Sequence, residues 1–301
     1  MPEQQLIETE WKGRSKGTLL GYKIYIFVLK NFGLNVAYLL LRTIVFYYFL
    51  FSYRSSKAIY PYFRKRLGYS RFRSIISIYK NYFLLGQTLS DRVTVSTGYR
   101  DVFDYTHDGI EKIDSLLKKR QGGILISGHL GNFEISHYFL ENRYSISKIS
   151  MVTTQTEQEN IQEYLSQMST ATSLELILVK EDMSHIFEIH AALDKGGLVV
   201  ITGDRFMAGS KYLTENLLGA PARFPLGPFR LASRLKVPVL FVYVMKGKKR
   251  NYRLYARTAD THANTPQLLL KEYTKSMEWM LTKYPLQWFN YFDFWGDNVK
   301  K

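Results

Sequence analysis

The stretch 122-GGILISGHLGNFEIS-136 decides how this chain reads. A glycine pair closes the segment before it, Ile124 to Ser127 is a short apolar run of strand character, and a histidine then stands between Gly128 and Gly131. His129 and Glu134 are five apart, which on a regular helix separates them by about 140° and keeps them from meeting. They meet if His129 lies in a loop and Glu134 in the first turn of the helix that follows. Gly128 and Gly131 permit that kinked backbone, and Asn132 suits the N-cap. A carboxylate on one imidazole nitrogen fixes the tautomer and stabilises the imidazolium, leaving the other nitrogen as a general base. The stretch thus reads as a polarised histidine presented at the mouth of a sheet. The plainer alternative is a loop histidine beside an exposed helical glutamate.

Outward from this stretch, strands alternate with helices. Residues 109–123 read as a helix ended by Gly122 and Gly123, 132–142 as a helix, 148–154 as a strand and 157–170 as a helix. Strands at 174–180 and 198–204 flank a helix at 182–197, and strands at 237–246 and 251–257 precede a helix at 266–284 that opens with proline. The expected fold class is therefore α/β, with a central mixed, largely parallel sheet flanked by helices. Before residue 96 helical periodicity dominates, with Pro61 as its clearest punctuation. That divides the chain into an N-terminal region, 1–95, and a catalytic domain, 96–301.

Charge is concentrated in the N-terminal region. Of a formal net charge of +15, residues 1–80 carry +11, from fourteen Lys or Arg against Glu3, Glu8 and Glu10. The same region holds the most apolar run, 34-LNVAYLLLRTIVFYYFLF-51. Basic, aromatic and apolar residues together suit an anionic membrane surface and argue against nucleic acid, whose binders need no such run. Eighteen residues reach roughly 27 Å, just short of the hydrocarbon core, and Arg42 offsets about 3 of the roughly 5 kcal/mol that the apolar residues supply. An interfacial or shallow anchor helix is expected, the alternative being a helix buried in the protein's own core. The polar start MPEQQLIETE does not read as a cleavable signal peptide.

The segment GHLGNFE, with 203-GDRFMAG-209, 218-LGAPARFPLGPFRLASRLKVPVL-240 and 285-PLQWF-289, resembles the lipid A biosynthesis acyltransferases, the lauroyl and myristoyl transferases of the lysophospholipid acyltransferase superfamily. The resemblance covers roughly residues 17–295. It implies transfer of a fatty acyl chain from acyl carrier protein, or from coenzyme A, to a hydroxyl of a membrane lipid acceptor at the cytoplasmic face of the inner membrane. It maps the family's histidine and acidic residue onto His129 and Glu134, and a further aspartate onto Asp204. Arg205 is expected to meet a phosphate or the tetrahedral oxyanion, with backbone N–H groups near Asn132 as rival oxyanion donors; a strand-end ion pair of Asp204 with Arg205 is the plainer alternative. Arg223 is a further phosphate candidate, or a brace for its loop. Glycerolipid relatives usually carry asparagine before the histidine and a Pro-Glu-Gly-Thr-like block. Here Gly128 stands before His129 and that block is missing.

Direct transfer is what the residues favour. The chain has no cysteine, and Ser127 lacks a nucleophile elbow because Leu125 stands where its first glycine belongs. An acyltransferase acting on another lipid (an aminolipid, glycolipid, aryl polyene or lysophospholipid), a hydrolase using the same pair and a non-catalytic lipid-binding protein are the rival functions. No cofactor and no metal site are expected: His137 is read as surface or core, and His185 and His190 do not share a helical face. The aromatic tail from Trp288 to Trp295 is read as core closure, with a membrane belt as the alternative.

Overall fold

The computed structural model describes residues 19–96, 98–136, 149–153, 174–180, 182–205, 210–260 and 264–296, and elements are numbered over these. A seven-stranded sheet forms the centre: β1 (Asp104–Asp108), β2 (Gly123–Ser127), β3 (Ile149–Thr153), β4 (Leu174–Leu178), β5 (Leu198–Thr202), β8 (Val239–Lys246) and β9 (Asn251–Thr258). Their spatial order is β1-β9-β8-β2-β5-β3-β4. Every neighbouring pair is parallel except β8 with β9. The α/β class with a mixed, largely parallel sheet is the observed architecture.

Why the central strands are apolar throughout follows from their two buried faces. Ile124 and Ile126 of β2, Val199 and Ile201 of β5, and Phe241, Tyr243 and Met245 of β8 enter one apolar cluster. Their alternates Leu125, Leu198, Val200, Leu240, Val242 and Val244 enter the other. Side chains alternate across a strand, so a strand covered on both sides has no polar position to show.

One face is covered by α7 (Pro266–Lys283), whose Leu269, Leu270, Tyr273, Met277, Met280 and Leu281 form a helical-period stripe buried against the sheet. Thr265 caps this helix by accepting from the Leu268 N–H at 3.2 Å, and Pro266 opens it, as its sequence suggests. The same cluster takes in α6 (Leu226–Arg234) and the antiparallel hairpin of β6 (Tyr212–Leu217) and β7 (Ala220–Pro225). The opposite face meets α4 (Ile110–Lys118) through Ile113 and Leu116, and the end of α3 (Arg71–Ser96) through Val93 and Val95. On the α7 face, α5 (His185–Asp194) packs against the sheet through Ile189 and Leu193.

The N-terminal layer wraps the sheet. In α1 (Leu19–Phe51), Ile26, Leu29, Leu34 and Ala37 join one cluster, and Leu41 and Val45 join the other. A break at Gly33, with φ 79 and ψ 174, lies within this helix and is open to glycine alone. The expected break at Pro61 is not where the chain turns. α2 (Tyr53–Pro61) runs into one wider turn over Tyr62–Arg66, closed by Leu67 N–H on Tyr62 O at 3.0 Å, and the reversal comes at Gly68, φ 67. Pro61 holds φ −59, which its ring accepts in a helix, and the wide turn absorbs the disturbed ladder. Lys23–Phe51 is long and apolar enough to cross a membrane, with a mean hydropathy of 1.7. The helices expected at 157–170 and over most of 132–142 lie outside the described residues.

Candidate active site

Parallel pairing builds the site. β2 and β5 are neighbours in register, Ser127 opposite Thr202, and each is followed by a glycine and then by a titratable residue, His129 or Asp204. Gly203 N–H donates to Ser127 O at 2.8 Å, so the two chains leave the sheet side by side at its carboxyl edge, where open α/β sheets place their ligands.

Asp204 binds His129 twice. Its Oδ1 lies 2.8 Å from His129 Nδ1, and its Oδ2 accepts the His129 backbone N–H at 2.8 Å. Trp288 Nε1–H adds a longer contact to Oδ2 at 3.4 Å. The carboxylate on Nδ1 is thus Asp204, and the contact that sequence spacing gave to Glu134 comes from 75 residues away. Glu134 lies in a short 3-10 turn, Phe133–Ile135, and its side chain is outside the described set.

Burial alone would raise the Asp204 carboxyl. The attraction of His129 and its hydrogen bonds, with the Arg205 charge behind, outweigh this and bring it down to about 2. Asp204 therefore stays ionised at any physiological pH. Its side chain is 1% exposed while that of His129 is 32% exposed. With Nδ1 committed, Nε2 is the nitrogen left for a substrate proton, held in position by a fixed negative charge.

The flanking glycines have definite reasons. A Cβ on Gly128 would lie 2.6 Å from Tyr273 Oη and 3.1 Å from Asp204 Cγ, so any larger residue before His129 displaces its partner. Asparagine before the histidine does not fit here. Gly131 has φ +67, and a Cβ there would meet Val244 O at 2.1 Å.

Sequence reasoning misjudged Asn132. Its φ of −133 precedes a single short turn and its side chain makes no capping bond. Instead Nδ2 donates to Thr88 O at 3.0 Å and Tyr252 Oη at 3.3 Å, tying the His129 loop to α3 and β9. Two backbone donors at this point are occupied: Asn132 N–H goes to Val244 O at 2.7 Å and Gly131 N–H to Gln287 O at 2.8 Å. Arg205 donates to Phe289 O, and burial lowers its pKa against the pull of Asp204. Arg223 lies apart on the exposed face of β7, with its guanidinium 4.6 Å from the Tyr212 ring.

The segment 285-PLQWF-289 is a strap that sequence reading quoted without a role. Phe289 N–H donates to His129 O at 2.9 Å, and Asn81 Nδ2 holds Leu286 O and Trp288 O at 3.0 and 2.9 Å. Gln287 receives Lys246 N–H at 2.9 Å and donates to Lys246 O at 2.6 Å. Tyr273 Oη–H on Ser127 O at 3.0 Å braces the strand end below. Trp288, Phe289 and Phe294 are buried, so the aromatic tail closes the core. Among the described residues no group of His, Asp and Glu could hold a metal ion.

The family profile described as bacterial lipid A biosynthesis acyltransferase matches residues 78–293, more than two thirds of the chain. No curated protein matches it.

Proposed function

The chain belongs to the bacterial lipid A biosynthesis acyltransferase family, an acyl donor and a lipid acceptor are thereby implied, and we propose how its site carries out the transfer. The donor is a fatty acyl thioester on acyl carrier protein or coenzyme A, and the acceptor is a hydroxyl of a lipid A precursor. His129 Nε2 takes the proton from that hydroxyl as its oxygen attacks the thioester carbonyl. The tetrahedral intermediate then collapses, the carbon–sulfur bond breaks, and the thiolate recovers the proton from His129. Asp204 keeps the ring in the reactive tautomer and offsets the imidazolium charge. Glu134, in the turn after the His129 loop, adds a second negative charge that stabilises the imidazolium, and Arg205 stands next to the dyad as the positive charge for the oxyanion.

The observation that carries this reading is the Asp204–His129 pair at the carboxyl edge, with the carboxylate buried and the ring one-third exposed. A buried base would serve structure alone.

Membrane seating follows from α1. Phe27, Phe32, Val36, Leu39, Phe46 and Leu50 are each more than two fifths exposed, while Ile26, Leu29, Leu34, Ala37, Leu41 and Val45 pack on the body. A helix held along this whole stripe lies on the protein with its apolar back outward, so we read the layer built by α1 to α3 as a monotopic docking layer at the cytoplasmic face of the inner membrane. The basic charge of the layer suits anionic lipid and an acidic carrier protein.

The test uses the full chain in detergent with an acyl carrier protein thioester, with and without lipid A precursor. Acylated lipid that forms only with acceptor, and vanishes in His129→Ala, is expected. Fatty acid released at an equal rate without acceptor would make the protein a hydrolase and sink the reading.

A further inference from the structure

The strap at 285–289 has an outer edge as well as an inner one. On the inner edge Gly131 N–H donates to Gln287 O at 2.8 Å and Phe289 N–H to His129 O at 2.9 Å, so Trp288 pairs antiparallel with Leu130. Backbone groups alternate in direction along such a segment, which turns Leu286 O and Trp288 O the other way. There both carbonyls accept from one side chain, Asn81 Nδ2 on α3, at 3.0 and 2.9 Å.

Asn81 is fixed from behind. Tyr291 Oη–H donates to Asn81 Oδ1 at 2.7 Å, and Asn81 is fully buried. Turning the amide over would set Oδ1 against two carbonyl oxygens, so the donor end has to face the strap. One amide thus does for the strap what a neighbouring strand does inside a sheet. An apolar side chain in its place would take this donor from the buried Trp288 carbonyl.

What the strap holds is the dyad. Phe289 N–H binds the His129 carbonyl, Trp288 Nε1–H lies 3.4 Å from Asp204 Oδ2, and Phe289 O receives Arg205. The histidine loop is held from the same side of α3. Thr88, two turns beyond Asn81, offers its carbonyl to the Asn132 amide. Asp91, almost a turn further, accepts from Tyr252 Oη–H, and that hydroxyl oxygen accepts from the same amide. A helix face that packs on a core is ordinarily apolar, yet α3 is polar and buried at the three positions that meet the strap and the loop.

We propose that Asn81 is a positioning residue for acyl transfer: it holds the strap so that His129, Asp204 and Arg205 keep the spacing the reaction needs. It acts through the strap alone. The proposal rests on the proposed function for the reaction that it serves. Misplacing a reacting group by about 1 Å is enough to cost on the order of 100-fold in rate.

The test sets Asn81→Ala and Tyr291→Phe beside Ile113→Ala, a truncation on α4 in the core of the opposite sheet face. The full chain in dodecyl maltoside is assayed with acyl carrier protein thioester and lipid A precursor, well below every melting temperature. The His129 Nδ1–H resonance is followed by NMR on isotope-labelled histidine, with His129→Ala to assign it. Asn81→Ala should lower kcat about 10–100-fold, keep both KM values within about twofold, and shift or broaden that resonance. Tyr291→Phe, which frees the amide and leaves the ring packing in place, should do the same to a smaller degree. Ile113→Ala should lower the melting temperature and keep both kcat and the resonance.

An equal fall in kcat for Ile113→Ala at a matched loss of melting temperature would leave Asn81 a stabilising role only and overturn the proposal. So would wild-type kcat in Asn81→Ala, or a rise in KM alone. Should Asn81→Ala fail to fold, Tyr291→Phe decides, and wild-type kcat there with an unmoved resonance overturns the proposal. A native chain that transfers to no acceptor would sink the proposed activity. The resonance still reads the positioning, which stands if Asn81→Ala moves it and falls if it does not.

Discussion

Two buried carboxylates hold two bases at one edge of this sheet, and they differ in what the base can reach. Asp204 grips His129, whose side chain is 32% exposed; Asp91 grips Lys246, whose side chain is 2% exposed. In the first pair the attraction outweighs burial, bringing the acid down to about 2. In the second, burial dominates on both sides and pushes the Asp91 carboxyl up and the Lys246 amine down. The first pair keeps a charged acid behind a reachable nitrogen, which is what proton transfer needs. The second braces α1, α3 and β9.

This contrast can be broken in several ways. His129→Ala should cost the most, about 10⁴-fold in acyl transfer at unchanged melting temperature, since the base itself is lost. Asp91→Ala should do the reverse, destabilising by about 3–5 kcal/mol because Lys246 is left buried and uncompensated, whereas Asp91→Leu with Lys246→Met should recover most of that in thermal unfolding. Asp204→Asn should lower kcat by about 10²–10³-fold while the acceptor KM holds, as expected when the ring loses its orienting charge.

Asp204→Asn also has an acid signature. A carboxyl depressed on folding contributes stability that is present above its unfolded value near 4 and is lost as pH falls through about 2. Unfolding of the native chain measured from pH 5 to 2 should therefore show an acid loss of about 2 kcal/mol that the variant lacks. Gly128→Ala comes next, with a Cβ pressed against Tyr273 and Asp204; a cost of about 1–3 kcal/mol and reduced kcat should appear together. Smallest is Arg223→Gln, on an exposed strand face over Tyr212, where stability should move by less than about 0.5 kcal/mol.

The absence of cysteine offers a handle on the docking layer. A single cysteine carrying an environment-sensitive fluorophore at Leu39 or Phe46 should shift to the blue on anionic vesicles, and the same label at exposed Lys271 on α7 should not. Equal response at both would contradict a lipid-facing α1.

Much of this was legible in the chain. The apolar runs gave β2, β5 and β8 because strands covered on both faces have no polar alternation to blur them. β1 was missed because DYTHD is a polar edge strand, three of whose five positions are exposed. His129 was legible from its glycines, but its partner was not: spacing along one segment selects Glu134, whereas Asp204 arrives through the register of two parallel strands. The signal was nonetheless present, in the matched endings Ser127-Gly128-His129 and Thr202-Gly203-Asp204. Asn132 looked like a cap because the local rule favours asparagine before a helix; tertiary partners on α3 and β9 claimed its amide instead.

The central claim is that an Asp204-held His129 is the base of an acyl transfer onto a membrane lipid. Lipids of the native host carrying the wild-type, His129→Ala or Asp204→Asn chain, compared by mass spectrometry, test it most directly. One lipid class lighter by a single acyl chain in both variants is the expected result. Unchanged profiles, with both variant proteins expressed and membrane-bound, would contradict it.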